Sequence, residues 1–176
     1  MNELILELPE ETHEIKANGW KEEFFTRNEM VINGSALFDH MDFKDWLAFT
    51  RKNRNPETTT HGWVPAATFF AVRKSDGIIV GMIDVRHNLN NDFLRKYGGH
   101  IGYSVSPGER RKGYGVQMLR LALAYAKTIG LSRVMIGAYA DNLGSVKTIA
   151  ACGGVLSETK PYTDGKPMNV YWIELL

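Results

Sequence analysis

Cysteine is all but missing from this chain: Cys152 stands alone. An internal disulfide is therefore excluded, and the usage points to a reducing, cytoplasmic compartment. The five histidines are scattered without an H-x-x-x-H pair, so no zinc site and no other metal centre is expected. No apolar run approaches the roughly 20 residues that span a bilayer. The acidic start, Met1 to Glu7, lacks the basic region and cleavage site of a signal peptide. A net charge of +1 supplies no field for nucleic acid. Repeats and low-complexity linkers are absent too, so residues 1–176 are expected to form one domain, large enough to bury a core unaided.

What is present is concentrated between Gly99 and Gly154. His100 to Ser106 reads as a strand, and Pro107 ends it because proline offers no donor to a sheet ladder. Arg110-Arg111-Lys112-Gly113-Tyr114-Gly115 follows, opening a helix that runs to Ile129. Gly113 and Gly115 permit a tight turn with several amide N–H groups pointing one way. The first four N–H groups of a helix lack internal partners and its dipole favours negative charge there. Such a turn binds phosphate or pyrophosphate, and Arg110, Arg111 and Lys112 add mobile positive charge.

Two familiar phosphate ligands fail on specific residues. A nucleoside-triphosphate loop needs Lys then Ser or Thr after its second glycine, but Tyr114 and Gly115 follow Gly113. The dinucleotide fingerprint needs a third glycine where Met118 stands, and an acidic residue about twenty positions on. Gly102-Tyr103-Ser104-Val105-Ser106 nearly matches the hydrolase elbow but lacks its last glycine and precedes a proline rather than a helix.

The remaining reading rests on three segments in order. The turn Arg110 to Gly115 resembles the acyl-CoA-binding pattern of the GNAT superfamily of N-acetyltransferases: Arg or Gln, two residues, Gly, one residue, Gly or Ala. Val105-Ser106-Pro107 is similar to that family's strand 4 ending. Asp141-Asn142-x-x-Ser145, with Gly153-Gly154 behind it, is similar to its strand 5 to helix 4 junction. The likeness covers about residues 67–175. It implies an α/β (α+β) fold with a mixed, largely antiparallel sheet, helices on both faces, and a splay between strands 4 and 5.

The periodicities agree. Leu4, Leu6 and Leu8 suggest a short first strand, and Thr12 a cap for a helix from His13 to Arg27, weakened by Gly19. Asp42 precedes a second helix with Phe43, Trp46, Leu47 and Thr50 on one face. Thr68–Val72 and Ile78–Arg86, around Ser75-Asp76-Gly77, read as a hairpin. Asn88 to Tyr97 is a helical turn or a long loop. Val116, Leu119, Leu123 and Ala126 recur at helical spacing, and Val134–Ala138 is a buried strand. Asn142 caps a helix that turns Val146, Ile149 and Ala150 inward, and Val155–Ser157 and Val170–Leu175 close the sheet. Trp20, Phe24, Phe25, Trp46 and Trp63 are expected in the core rather than lining a pocket.

The resemblance implies a reaction: acetyl transfer from acetyl-CoA to a primary amine of a small molecule or peptide, by direct attack. It places the pyrophosphate on amides from Arg111 to Val116 and the pantetheine along the backbone of Tyr103 and Val105. An N–H near Val105 faces the oxyanion, with Asn142 and Ser145 beside the pantetheine and sulfur. A base must take the amine proton; His100 and Asp84 are the candidates, against structural roles as a hydrogen-bonded histidine and an ion-paired aspartate. Many members carry a tyrosine seven residues after the helix 4 asparagine, as the acid for the thiolate. Ile149 stands there, leaving Tyr139, Tyr103 or a water to substitute. That departure keeps open a CoA-binding sensing module without turnover, and a nucleotide-binding protein is a third reading. Cys152, at a helix C-terminus where the dipole disfavours thiolate, argues against a covalent intermediate. The acceptor lies with residues 10–65 and the Asn88–Gly98 loop, and a homodimer is left open.

Overall fold

The computed structural model describes residues 3–175, so Met1 and Asn2 of the acidic start lie outside it. Strands β1 (Leu4–Glu7), β2 (Ala66–Arg73), β3 (Ile79–Arg86) and β4 (Ile101–Val105) form one antiparallel sheet in that order. Strands β5 (Arg133–Tyr139), β6 (Val155–Pro161) and β7 (Pro167–Glu174) form a second, ordered β5-β7-β6. Helices are α1 (Glu14–Phe25), α2 (Phe43–Arg54), α3 (Tyr114–Thr128) and α4 (Leu143–Ala151).

Strands β2 and β3 read as nearly continuous apolar runs because both of their faces are covered. Val80, Ile83 and Val85 meet Met118, Leu119, Ala122 and Ala126 of α3 on one side. Phe70, Ile79 and Met82 meet Trp20 and Phe24 of α1 and Trp46 and Leu47 of α2 on the other. The helices thus sandwich the first sheet, as the family resemblance implied.

The two sheets touch at one end of β4. Gly99 bridges to Ile136, the His100 N–H donates to the Met135 carbonyl at 2.7 Å, and the Met135 N–H donates to His100 Nδ1 at 3.0 Å. Beyond this clasp β4 and β5 pair with different partners and part. Gly99 has φ of +64°, and a Cβ there would collide with the Met135 carbonyl; a Cβ on Gly137 would strike the Tyr97 carbonyl. Only glycines allow so close an approach.

Several expectations shift in detail. A 3-10 turn over Glu11–His13 precedes α1, and the cap is the Glu10–His13 pair rather than Thr12, with the Glu10 N–H donating to His13 Nδ1 at 3.1 Å. Gly19 is tolerated inside α1. The buried face of α3 is Tyr114, Met118, Leu119, Ala122 and Ala126, with Val116 and Leu123 at its margins. Tyr114 anchors that face, its hydroxyl accepting from Arg73 Nη1 at the end of β2 at 3.2 Å. On α4, Ile149 is fully buried but Ala150 faces solvent. The 88–97 stretch is a loop closing on a π-helical turn, Leu94–Gly98. Strand β6 runs to Pro161, further than Ser157, as an exposed edge.

Candidate active site

The turn between β4 and α3 is pinned before it opens. Glu23 of α1 accepts from the Gly108 N–H and from Ser106 Oγ, both at 2.6 Å. Glu29 holds Arg110 with two hydrogen bonds, at 2.8 and 2.5 Å, and Arg110 Nε also donates to the Val105 carbonyl at 3.2 Å. The Arg110 guanidinium keeps the Glu29 carboxyl below its ordinary pKa. Arg73, almost buried, bonds Asp76, Glu109 and the Tyr114 hydroxyl, and Glu109 takes Lys112 as well. Arg110 and Lys112 are therefore structural ties rather than mobile charges. Arg111 is exposed at φ of +62° and, among the described residues, makes no ion pair, so it is the free cation of the three.

Past these ties the backbone turns through Gly113, at φ of +80°, into α3. No side chain caps that helix, and the amides of Tyr114, Gly115 and Val116 begin it without intrahelical partners. Gly115 sits close against Thr148 of α4 and Val105 of β4, where a Cβ would approach Thr148 Oγ1 to 3.2 Å. An uncapped N-terminus preceded by two left-handed residues is a cradle for an anionic group. These residues fit the diphosphate of a CoA thioester.

The parting of the sheets exposes one edge of β4. The His100 carbonyl accepts from Arg86 and the Ser106 N–H donates to Val80, so the even-numbered residues of β4 bond β3. Antiparallel alternation turns the amides of Tyr103 and Val105 the other way, toward the gap. On the opposite face, Gly34 presses on Gly102, and Ser104 Oγ donates to the Asn33 carbonyl at 2.7 Å.

Tyr103 reaches from β4 to α4. Its hydroxyl is buried and, among the described residues, finds no partner in hydrogen-bonding geometry. Burial raises its pKa, while the neighbouring Ser145 and Thr148 hydroxyls pull the other way. Asn142 is exposed and caps α4, its side chain accepting from the Ser145 N–H at 3.2 Å. Ile149 lies wholly within the core.

The sequence's proton-transfer candidates fall in different surroundings. His100 is buried, and its Nδ1 lone pair is taken by the Met135 N–H. Desolvation, then the Arg86 charge, lowers its pKa to about 4. The ring is thus neutral near pH 7 with its basic nitrogen already engaged. Tyr139 donates its hydroxyl proton to Asp164 Oδ2 at 2.9 Å; burial first, then this bond, pushes its pKa up to about 12. Asp84 is 5% exposed, accepts from Thr68 Oγ1 at 2.9 Å, and lies 3.2 Å from Arg86 Nε. Burial raises its pKa against the opposing pull of Arg86.

Asp84 and Arg86 line a cavity of about 300 Å³ between α2, the 62–66 segment and the turn before β4. Phe49 and Trp63, edge to face at 5.1 Å, and Phe93 and Leu94 supply its apolar wall. Trp63 is half exposed here, outside the core where it was expected, while Trp20, Phe24 and Trp46 are core. The sequence placed the acceptor in these segments without identifying Phe49, Asn53 or Phe93, which nothing but their position marks.

The described residues hold no cluster of metal-ligating side chains, and no helix among them is long and apolar enough to cross a membrane. The family model for the acetyltransferase (GNAT) domain matches residues 3–155. No curated protein matches the chain. Among solved structures, yncA, a putative acetyltransferase from Salmonella typhimurium with acetyl-CoA, superposes with a TM-score of 0.68 at 14% identity, covering 99% of this chain and 95% of that one. The microcin C7 self-immunity acetyltransferase MccE, in complex with acetyl-CoA and AMP, gives 0.69 at 18%, covering 99% and 93%. AAC(6')-Ib, with ribostamycin and coenzyme A, gives 0.66 at 15%, covering 98% and 94%. With the splayed sheets and the uncapped turn at Gly113, the match places this chain in the GNAT family of acetyltransferases.

Proposed function

We propose that the protein transfers the acetyl group of acetyl-CoA to a primary amine, by direct attack within a ternary complex. The observation that carries this reading is the uncapped start of α3 behind Gly113, set beside the unpaired edge of β4. The amides from Arg111 to Val116 hold the diphosphate, with Arg111 as the free cation. The Tyr103 and Val105 backbone takes the pantetheine, and Asn142 and Ser145 stand at its far side. Acetyl-CoA itself supplies the activated carbonyl.

An amine with an ordinary pKa of about 10.4 pays roughly 4.6 kcal/mol to be neutral at pH 7, so a base matters. Asp84 takes that proton: it faces the cavity, and its burial makes it more basic than an exposed aspartate. His100 instead locks the sheets together. The amine nitrogen then attacks the thioester carbonyl, and a backbone N–H at Val105 stabilises the oxyanion. The C–S bond breaks, its electron pair leaving on sulfur, while the nitrogen passes its remaining extra proton to the Tyr103 oxygen. Tyr103, whose buried hydroxyl lies beside the Ser145 and Thr148 hydroxyls of α4, relays that proton to the thiolate in place of the tyrosine absent at Ile149. The test is calorimetry with CoA followed by thiol release from acetyl-CoA across a panel of amines. Tight CoA binding with amine-dependent release supports the reading, and absence of CoA binding overturns it. Binding without release from any amine would favour a sensing module, the reading that the buried Ile149 keeps in view.

A further inference from the structure

We infer that the acceptor is a monocationic primary amine with an aryl or branched apolar body and one uncharged hydrogen-bond-accepting oxygen. The inference rests on the acetyl-transfer reading above and concerns what its acceptor cavity selects.

Charge comes first. Of the cavity-lining residues only Asp84 and Arg86 are charged, and they pair with each other at 3.2 Å. Arg86 Nη1 is also spent, donating to the Gly98 and Gly99 carbonyls at 3.0 and 3.1 Å. A polyamine or aminoglycoside carries several ammonium groups and needs a carboxylate for each; this wall offers one. A free carboxylate fares no better, since no cation here lacks a partner. The Asp84 carboxylate keeps lone pairs beyond those that Arg86 and Thr68 take, so one ammonium, and no more, can face it.

Shape comes next. Phe49, Trp63, Val64, Phe93 and Leu94 surround the volume, which at about 300 Å³ is at the small end for ligand sites. An apolar or aromatic group of modest size fills it; a folded partner does not enter.

The third observation fixes a polar atom on that body. Asn53 of α2 lines the cavity at 4% exposure, and its Oδ1 accepts from the Thr60 N–H at 2.7 Å. Its Nδ2 is buried and, among the described residues, has no partner. A buried donor without an acceptor is costly, and a turn of the amide toward the cavity would let a bound ligand's oxygen satisfy it. A hydroxyl, ether or amide carbonyl suits this donor without disturbing the charge balance.

The test is calorimetric titration of the CoA-loaded protein with 4-methoxyphenethylamine, phenethylamine, spermidine and kanamycin, alongside thiol-release kinetics on the same amines. The methoxy amine is expected to bind about tenfold tighter than phenethylamine, and the polycations at least about tenfold weaker than either. In Asn53→Asp the Thr60 bond keeps its acceptor while the donor is lost, and the methoxy preference should shrink to within about twofold. Tighter binding of spermidine or kanamycin, no binding of either aryl amine, or an undiminished preference in Asn53→Asp overturns the inference. CoA binding reports separately on acetyl transfer, so a failed amine ranking leaves that reading standing. If CoA does not bind, the same titration on the free protein still ranks the amines.

Discussion

His100 accepts a hydrogen bond from the Met135 N–H at 3.0 Å, and this side-chain bond, with the neighbouring backbone contacts, ties two sheets that diverge immediately beyond it. The bond needs a neutral ring. Burial lowers the ring's pKa from 6.5 to about 4, whereas the unfolded chain takes its proton below about 6.5. Stability from this group is therefore full above pH 6.5 and drains as pH falls toward 4, by roughly 3 kcal/mol in total. Urea denaturation at pH 7 and pH 5 should show a steeper loss in the parent than in His100→Gln. Equal slopes would contradict the clasp.

Asp84 should behave as a base whose pKa lies above the ordinary carboxylate range, because its burial outweighs Arg86 and Thr68. Activity is lost as pH falls and Asp84 takes up a proton, so the acid limb of kcat/KM should lie above about 3.9. Asp84→Asn is expected to lower kcat by about a hundredfold or more while CoA affinity stays within about twofold. A variant with parental kcat would return Asp84 to a purely structural ion pair.

The two tyrosines should separate cleanly. Tyr103→Phe removes the buried hydroxyl beside α4 and is expected to reduce kcat about tenfold with little change in CoA affinity. Tyr139→Phe removes a hydroxyl already committed to Asp164, so kcat should stay within about twofold. Steady-state kinetics with one saturating amine distinguishes them, and a reversed order would reassign the donor.

How far the sequence could be read depends on what each residue's role requires locally. Gly113 and Pro107 announced the turn because backbone geometry demands those residue types, and Asn142 announced its cap for the same reason. The hairpin around Gly77 followed from its β-branched and aromatic flanks, whereas the covering of β2 and β3 on both faces shows only once the helices pack. Partners distant in sequence were not legible. Nothing near Arg110 indicates that Glu29, 81 residues away, will neutralise it, nor that Glu23 will hold Gly108 across 85. The cavity is similar: Asn53 and Phe93 become neighbours only after α2 and the loop before β4 fold over the sheet. His100 looked like a base because its type suits one, and only the position of Met135 shows its lone pair to be occupied.

Those long-range ties yield their own prediction. Glu23→Ala leaves the Gly108 N–H and the Ser106 hydroxyl without their acceptor, loosening the turn rather than removing any ligand contact. CoA affinity should fall about tenfold, while kcat at saturating acetyl-CoA stays within about twofold. Calorimetry and kinetics together check it; a loss confined to kcat would contradict a positioning role.

Whether the amides at the start of α3 hold a diphosphate is decided most directly by calorimetric titration of coenzyme A into the parent and Gly113→Asp proteins. The substitution places a Cβ and a negative charge at a residue with φ of +80°, where the ligand's phosphates would lie. The parent should bind, and the variant should lose about a hundredfold or more in affinity while remaining folded by circular dichroism. A parent that gives no heat with coenzyme A, or a variant that binds it as tightly, would contradict the account.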